Sequence, residues 1–253
     1  MITVTILTKN AEKYLQQVLE ALRDFTEVAI LDTGSQDRTI EIAKQFDNVV
    51  VYQHDFIGFG PSHNLLSSMA KNDWILSIDG DEIVTEELKN EIVSLKLDKN
   101  SVYSFCRHNF YKGKWIKGCG WYPDRQIRLY NRTVTRFSDA QVHEAVIAHG
   151  LKQVKLKSAL NHYPYACIHD FLAKMQSYST LFAKQNRGKR TSSLGKAIGH
   201  GLFAFFRSYI LKRGFLLGQE GFVISAYNGH TAFYKYLKLQ EANEAHVDDQ
   251  TKR

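Results

Sequence analysis

The chain has 253 residues, of which 44% are apolar and 23% charged, and a net charge of +7. These fractions are ordinary for soluble globular proteins and argue against a disordered, collagen-like or low-complexity chain. The three cysteines lack a C-x-x-C pair, which argues against a disulfide framework and a cysteine zinc site. No signal-peptide pattern and no apolar run near ~20 residues occurs, so we expect a cytoplasmic protein.

Charge is divided unevenly along the chain. Residues 1–100 carry 9 basic and 17 acidic side chains, whereas residues 101–253 carry 24 basic and 9 acidic ones. This asymmetry predicts that the C-terminal part faces a polyanion or an anionic membrane. A solvated basic surface without a partner is the alternative.

The first hundred residues alternate strand and helix patterns. Apolar and β-branched runs predict strands at residues 3–9, 27–32, 49–52 and 74–79. Between them, apolar residues at helical spacing predict helices, one starting at Pro61 and one capped by Thr85. This alternation predicts an α/β fold with a mostly parallel sheet flanked by helices. Shorter strands are predicted at 102–107, 126–130 and 153–156, and helices from about His169.

Polar residues follow three of the predicted strands, at segments 9–10, 32–35 and 79–82. Ligands of open parallel sheets bind beyond the carboxyl ends of the strands, although Asp, Asn and Gly also populate ordinary turns. The carboxylates of Asp79 and Asp81 can reach one Mg²⁺ or Mn²⁺, which neutralises a diphosphate leaving group. The sequence has neither G-x-G-x-x-G after the first strand nor a P-loop, which disfavours NAD, FAD and P-loop nucleotide sites.

Four ordered segments, ILTKNAEKYL, VAILDTGSQDRT, FIGFGPSHN and DWILSIDGDE, resemble the family 2 inverting glycosyltransferases with the GT-A fold. The resemblance covers the first hundred residues and implies a nucleotide-sugar donor and a divalent cation. It implies that Asp32 contacts the uracil or ribose, that Asp79 approaches the ribose and donor sugar, and that Asp81 coordinates the metal with Asp79. Further nucleotide-sugar positions implied by it are Thr8, Asn10, Gly34, Ser35, Asp37, Asn64 and Gly80. Asn10-Ala11-Glu12 departs from the common Asn-Glu-Glu, so Glu12 is given no direct role.

The second half resembles a bacterial subgroup that adds glucose to the inner-core heptose of lipopolysaccharide or lipooligosaccharide. The segments WYPDRQIRLYNR and QVHEAV carry this resemblance. It implies UDP-glucose as donor, a lipid-anchored oligosaccharide as acceptor and a place on the inner face of the bacterial inner membrane. We accordingly expect a glycosyltransferase domain at 1–165, with a donor half at 1–100 and an acceptor half at 101–165. A helical, membrane-associating region follows at 166–253.

An inverting transfer needs a base that takes the proton of the acceptor hydroxyl. Glu144, in VHEAV, is the first candidate, with a salt bridge to a nearby arginine as its alternative role; Asp124 is the second candidate. The adjacent His143 is either a metal ligand or a hydrogen-bonded structural residue.

Aromatic and basic side chains are candidates for acceptor and membrane contacts. Trp121 and Tyr122 suit the faces of sugars, although buried packing is the alternative. We expect Arg125 and Arg128 on one strand face, where they bind phosphate of donor or acceptor or remain surface charges. The stretch 196–217 is either core or a helix in the interface of an anionic membrane. The membrane candidates are Lys196, Phe205, Phe206, Arg207, Lys212 and Arg213.

Two other functions compete with the enzyme. One is a non-catalytic membrane- or polysaccharide-binding protein on a transferase fold, which the intact Asp79 and Asp81 disfavour. The other is nucleic-acid binding, suggested by the isoelectric point near 9.2. The chain has no recognised RNA or DNA motif, so we expect no nucleic-acid partner.

Overall fold

The computed structural model describes the backbone of residues 1–139 and 144–251 and the side chains of residues 1–139 and 144–245. It divides into two compact units: Met1–His108 with Asp124–Tyr163, and Asn109–Pro123 with Pro164–Arg253. The first unit therefore ends two residues before the domain end predicted at 165. Residues 109–123, which we expected in the first domain, group with the second unit.

The first unit contains most of the sheet and four helices. Its strands are β1 (Ile2–Thr8), β2 (Val28–Asp32), β3 (Val49–Gln53), β4 (Trp74–Asp79), β5 (Glu82–Val84), β6 (Ser101–Tyr111, whose last three residues belong to the second unit), β8 (Asp124–Asn131) and β9 (Lys152–His162). Its helices are α1 (Glu12–Glu20), α2 (Thr39–Ala43), α3 (Phe59–Met69) and α4 (Glu86–Val93). Thr85 caps α4 as predicted, because its hydroxyl accepts from the Leu88 N–H. Pro61 is the third residue of α3 rather than the first.

The sheet joins a parallel half to an antiparallel half. Its strand order is β3-β2-β1-β4-β8-β6-β9-β5, in which β1, β2, β3 and β4 pair in parallel and β8 pairs antiparallel with β4 and β6. All five residues of β2 are buried, as expected for a strand covered on both faces. The predicted α/β class, with a mostly parallel sheet flanked by helices and a helical C-terminal region, is confirmed.

The second unit is mainly helical. It contains β7 (Lys114–Trp115), α5 (Ile168–Asn186), α6 (Leu194–Phe206), a π-helical turn (Arg207–Leu211), a 3₁₀ turn (Gly214–Leu217) and α7 (Gln219–Thr251). Helices α6 and α7 approach closely at two glycines, because a Cβ on Gly201 would lie 3.1 Å from Phe233 Cβ and one on Gly229 would lie 3.1 Å from Gly201 O. Within the described residues, no helix is both long and apolar enough to cross a membrane.

Candidate functional site

The ends of β1, β2 and β4 are neighbours at one edge of the sheet. Thr8 pairs with Asp32 on one side of β1, and Leu7 pairs with Asp79 on the other. The turn after β4 also packs against the turn after β1, since a Cβ on Gly80 would lie 3.1 Å from Ala11 Cβ. The topology therefore brings the three predicted strand-end segments together, as the sequence analysis expected.

The turn after β2 is organised by Asp32, which is completely buried. One carboxylate oxygen accepts from the N–H groups of Gly34 and Ser35, at 3.1 and 2.9 Å. The other accepts from the hydroxyls of Thr8, at 3.1 Å, and of Ser35. Gly34 has φ +97°, a conformation that glycine adopts without a steric cost. Asp32 thus fixes the shape of this turn through neutral donors alone.

The turns after β1 and β2 are also joined to each other. Asn10 has φ +53° and accepts from Gln36 N–H at 2.8 Å, while its own N–H donates to Ser35 Oγ at 2.8 Å. Asp37 accepts from Glu12 N–H at 3.1 Å and from the Thr39 N–H and hydroxyl. Burial opposes ionisation of Asp37, but these hydrogen bonds outweigh it and lower the pKa of the carboxyl. The two turns form one hydrogen-bonded rim.

The turn after β4 has a different chemistry, built from charges. Arg128 donates to Asp79 at 2.7 Å and to Glu82 at 3.0 Å, and Arg107 lies 3.1 Å from Glu82 and 2.8 Å from Asp124. Glu82 is completely buried, whereas 36% of the Asp79 side chain is exposed. Burial opposes ionisation of Asp79, but Arg128 and the neighbouring cations hold its pKa below the usual range. Burial raises the pKa of Glu82, against the attraction of Arg128.

Asp81 lies beside His162, with 3.5 Å between Oδ1 and Nε2. A carboxylate oxygen and an imidazole nitrogen at this separation suit a transition-metal dication such as Mn²⁺, with the remaining positions left to ligand oxygens. In the part of the chain that the structure describes, no group of three or more His, Cys, Asp or Glu side chains could hold a metal. His143, the third predicted ligand, lies outside the described residues.

Both candidate bases lie in the first unit. Glu144 is half-buried and follows directly on the residues that are not described. Burial disfavours charge on Arg128, but Asp79, Glu82 and Glu144 outweigh it and raise the pKa of Arg128 above its ordinary value. Glu144 is therefore electrostatically coupled to the cluster at β4, while Asp124 is ion-paired with Arg107 and accepts from Gln126 at 2.9 Å.

Arg125 and Arg128 do not act as a pair. Arg125 donates to the backbone carbonyls of Ser104 and Leu156, at 2.7 and 3.1 Å, whereas Arg128 contacts Asp79 and Glu82. The expectation that they share a strand face stays a prediction, because the β6–β8 ladder shifts register beside Arg128 and side chains do not alternate regularly there. Arg128 and Arg107 both reach Glu82, and Arg107 is also paired with Asp124.

Three residues of this region escaped the sequence analysis: Glu82, Arg107 and His162. Glu82 directly follows Asp79-Gly80-Asp81, so the sequence alone could have indicated it as a further carboxylate of the site. Arg107 lies in a predicted strand, and His162 ends β9, which extends six residues beyond the predicted end. Only the pairing of β5 with β9 brings Glu82 opposite His162.

The remaining acceptor and membrane candidates lie in the second unit. Trp121 stacks on Tyr165 with ring centroids 5.5 Å apart, and Tyr122, 40% exposed, meets the Trp115 ring edge-on at 5.4 Å. Phe206 is exposed, as is Arg207, while Phe205 is half-buried. Further large apolar side chains are exposed in the same stretch: Leu194, Ile198, Leu202, Phe203, Ile210, Leu211, Phe215 and Leu216.

Two glycosyltransferases are similar to this chain along nearly its whole length. An uncharacterized glycosyltransferase of Rickettsia typhi is 28% identical over 257 residues, covering 95% of this chain and 87% of that protein. The lipopolysaccharide core biosynthesis glycosyltransferase LpsC of Rhizobium meliloti is 24% identical, covering 96% and 92%.

Solved structures are more distant. S. aureus TarS 1–349 in complex with UDP-GlcNAc has a TM-score of 0.48 at 14% identity, covering 98% of this chain and 92% of that one. The mannosyltransferase PcManGT from Pyrobaculum calidifontis, in complex with GDP-Man and Mn²⁺, has a TM-score of 0.49 at 12% identity, covering 98% and 75%. The model of the glycosyl transferase family 2 matches residues 3–150, more than half of the chain. The chain belongs to glycosyl transferase family 2.

Proposed function

We propose that this glycosyltransferase moves a hexose, glucose in the first instance, from a UDP-sugar to a lipopolysaccharide or lipooligosaccharide core acceptor with inversion. The observation that carries the proposal is the meeting of three polar strand ends beside the charged cluster of Asp79, Glu82, Arg107 and Arg128. The similarity to LpsC along nearly the whole chain supports the acceptor class.

The donor site needs a cation for electrostatic reasons. Five carboxyl groups, those of Asp79, Asp81, Glu82, Asp124 and Glu144, belong to the β4 end and its ion-pair partners, against the guanidinium groups of Arg107 and Arg128. A diphosphate would be repelled by this excess of negative charge. A divalent cation, Mg²⁺ or Mn²⁺, held by Asp81 and His162, would neutralise the leaving diphosphate. The hydrogen-bonded rim from Thr8 to Asp37 then contacts the nucleoside.

Glu144 is the proposed base. Its position near Arg128 keeps it in the charged cluster, and its side chain is half-buried. Asp124 is the weaker candidate, because its carboxylate is already engaged by Arg107 and Gln126. In a single displacement, the Glu144 carboxylate takes the acceptor hydroxyl proton while the oxygen attacks the anomeric carbon and the bond to the diphosphate breaks.

The second unit supplies the proposed contact with the membrane. From Arg187 to Gln219 the chain has seven basic and no acidic residues, and the exposed apolar side chains of α6 and the two short helical turns lie among them. Apolar side chains that insert below the headgroups, next to Lys and Arg that attract anionic lipid, are typical of interfacial helices. We therefore place the protein on the cytoplasmic face of the membrane that carries its acceptor, with Trp121 and Tyr122 as acceptor contacts.

The direct test is a transfer assay. UDP-glucose, UDP-galactose and UDP-N-acetylglucosamine are each incubated with a core lipooligosaccharide acceptor and Mn²⁺, and the anomeric configuration of the product is read by NMR. We expect transfer from UDP-glucose with inverted configuration. Product of retained configuration, or no transfer from any UDP-sugar, contradicts the proposal.

Membrane binding is tested separately with vesicles. The double substitution Phe203→Ser with Phe206→Ser should weaken sedimentation with vesicles containing anionic phospholipid, and the matched control is Val93→Ser, which removes an exposed apolar side chain from α4. Equal sedimentation of both variants and the wild type contradicts the membrane role.

A further inference from the structure

Glu144 directly precedes one arm of a short antiparallel bridge. Phe137 pairs with Val146, Ile147 N–H donates to Arg136 O at 2.9 Å, and Ser138 N–H donates to Ala145 O at 2.9 Å. Because Ala145 follows Glu144, the backbone path of the proposed base depends on where the Phe137 arm is held.

Helix α3 holds that arm through Asn64. The side-chain amide donates to Phe137 O at 3.0 Å, and its oxygen accepts from Phe137 N–H at 2.9 Å. These two bonds satisfy both backbone groups of Phe137, as a neighbouring strand would. Each of the two amide atoms of Asn64 is therefore engaged by a residue 73 positions away in the sequence.

The neighbouring side chain of α3 reinforces this contact. His63 stacks on the Phe137 ring with centroids 4.4 Å apart and planes 16° apart, and both residues are almost completely buried. The His63 Nδ1 atom lies 3.3 Å from Ser77 Oγ, two residues before Asp79 on β4. A continuous chain of contacts thus runs from β4 through α3 to the Phe137 arm, which pairs with the arm that directly follows Glu144.

We infer that Asn64 is a positioning residue for Glu144. The family resemblance had implied a different role for Asn64, as a nucleotide-sugar contact. The inference rests on the proposed function, in which Glu144 is the base. Catalysis depends steeply on the placement of such a group, since a displacement of about 1 Å can cost about 100-fold in rate.

The experiment measures kcat for transfer and the Kd of UDP with Mn²⁺ for Asn64→Ala, with Asn48→Ala as the matched control. Asn48 also donates its side-chain amide to backbone carbonyls, those of Leu22 and Phe25, at 3.0 and 2.9 Å, outside the site. We expect Asn64→Ala to lower kcat by about 10- to 100-fold, with the Kd of UDP changed less than about twofold. Asn48→Ala should leave both unchanged. A large rise in the Kd of UDP with kcat preserved would overturn the inference.

A double-mutant cycle separates positioning from general damage. If Asn64 acts through Glu144, Asn64→Ala should lower the residual rate of Glu144→Gln by less than about twofold. An equal loss in both backgrounds overturns the inference, even if Asn64→Ala folds poorly. The single variant Glu144→Gln tests the proposed base independently, because undiminished transfer by it removes Glu144 from the mechanism whatever Asn64 does.

Discussion

Two acidic residues at the ends of the strands on either side of β1, Asp32 and Asp79, are stabilised in opposite ways. Asp32 is completely buried and accepts only from neutral donors, two N–H groups and two hydroxyls. Asp79 is partly exposed and ion-paired with Arg128. Neutral hydrogen bonds fix the shape of a turn, whereas an ion pair can be rearranged when a charged ligand arrives. We infer that the turn after β2 mainly maintains the local structure, whereas the turn after β4 responds to a charged ligand.

The largest expected effect belongs to Glu144, which is electrostatically coupled to the charged cluster at the end of β4. Glu144→Gln keeps the size of the side chain but cannot accept the acceptor proton, so we expect kcat to fall by about 10²- to 10⁴-fold with donor binding nearly unchanged. Glu41→Gln, on the exposed face of α2, is the control. Steady-state transfer assays measure both, and a Glu144→Gln variant within about twofold of wild type would move the base elsewhere.

The second largest effect is expected when the guanidinium group of Arg128 is removed. Arg128→Met leaves Glu82 buried without its closest guanidinium, so we expect the free energy of unfolding to fall by about 3–5 kcal/mol. Arg23→Met, which breaks an exposed pair with Glu20, should cost much less, because solvent screens an ion pair at the surface. Urea denaturation at pH 7 compares them. Equal losses for the two variants would show that the β4 cluster is an ordinary surface network.

The buried His63 should make the free energy of unfolding depend on pH. Burial lowers the pKa of His63 to about 4, so the folded state keeps a neutral ring that the unfolded chain protonates below about pH 6.5. The stabilisation is complete above pH 6.5 and is lost as the pH falls toward 4, by up to about 3 kcal/mol. His63→Gln should flatten this slope in urea denaturation, whereas His149→Gln, at an exposed position, should not. An unchanged slope in His63→Gln contradicts the prediction.

The smallest effect is expected for Asp32, in the turn after β2. Asp32→Ala removes the acceptor of four donors, so we expect a loss of about 1–3 kcal/mol in the free energy of unfolding. Because the proposed cation ligands are Asp81 and His162, we expect Mn²⁺ affinity measured by electron paramagnetic resonance to be unchanged in Asp32→Ala. Weakened Mn²⁺ binding with full stability would reverse the two roles.

The parallel half of the fold follows from local sequence patterns. The β4 strand occupies the predicted residues 74–79 because an apolar run is bounded by Asp at its end, and α4 begins after its Thr85 cap. The strand β9 extends to His162, beyond the predicted end at residue 156, because polar residues such as Ser158 and Asn161 interrupt its apolar pattern. Local patterns therefore identify continuous apolar strands better than strands of mixed polarity.

The charged cluster depends on pairing that no local pattern shows. Arg128 reaches Asp79 because β8 lies antiparallel beside β4, with Leu129 opposite Leu76. Arg107 joins because β6 lies on the other side of β8, opposite Asp124. The carboxylates were visible in the sequence at the strand ends, but their cationic partners, and His162 beside Asp81, come from distant strands.

We propose that Asp81 and His162 would hold the divalent cation, whose charge would offset that of the donor diphosphate. Isothermal titration of UDP into the wild-type protein with Mn²⁺, with a chelator, and into Asp81→Ala with Mn²⁺ tests it most directly, with the exposed Asp47→Ala as control. We expect UDP to bind only to the wild type and to Asp47→Ala, and only when Mn²⁺ is present. Equal affinity for UDP in the chelator, or in Asp81→Ala, would contradict it.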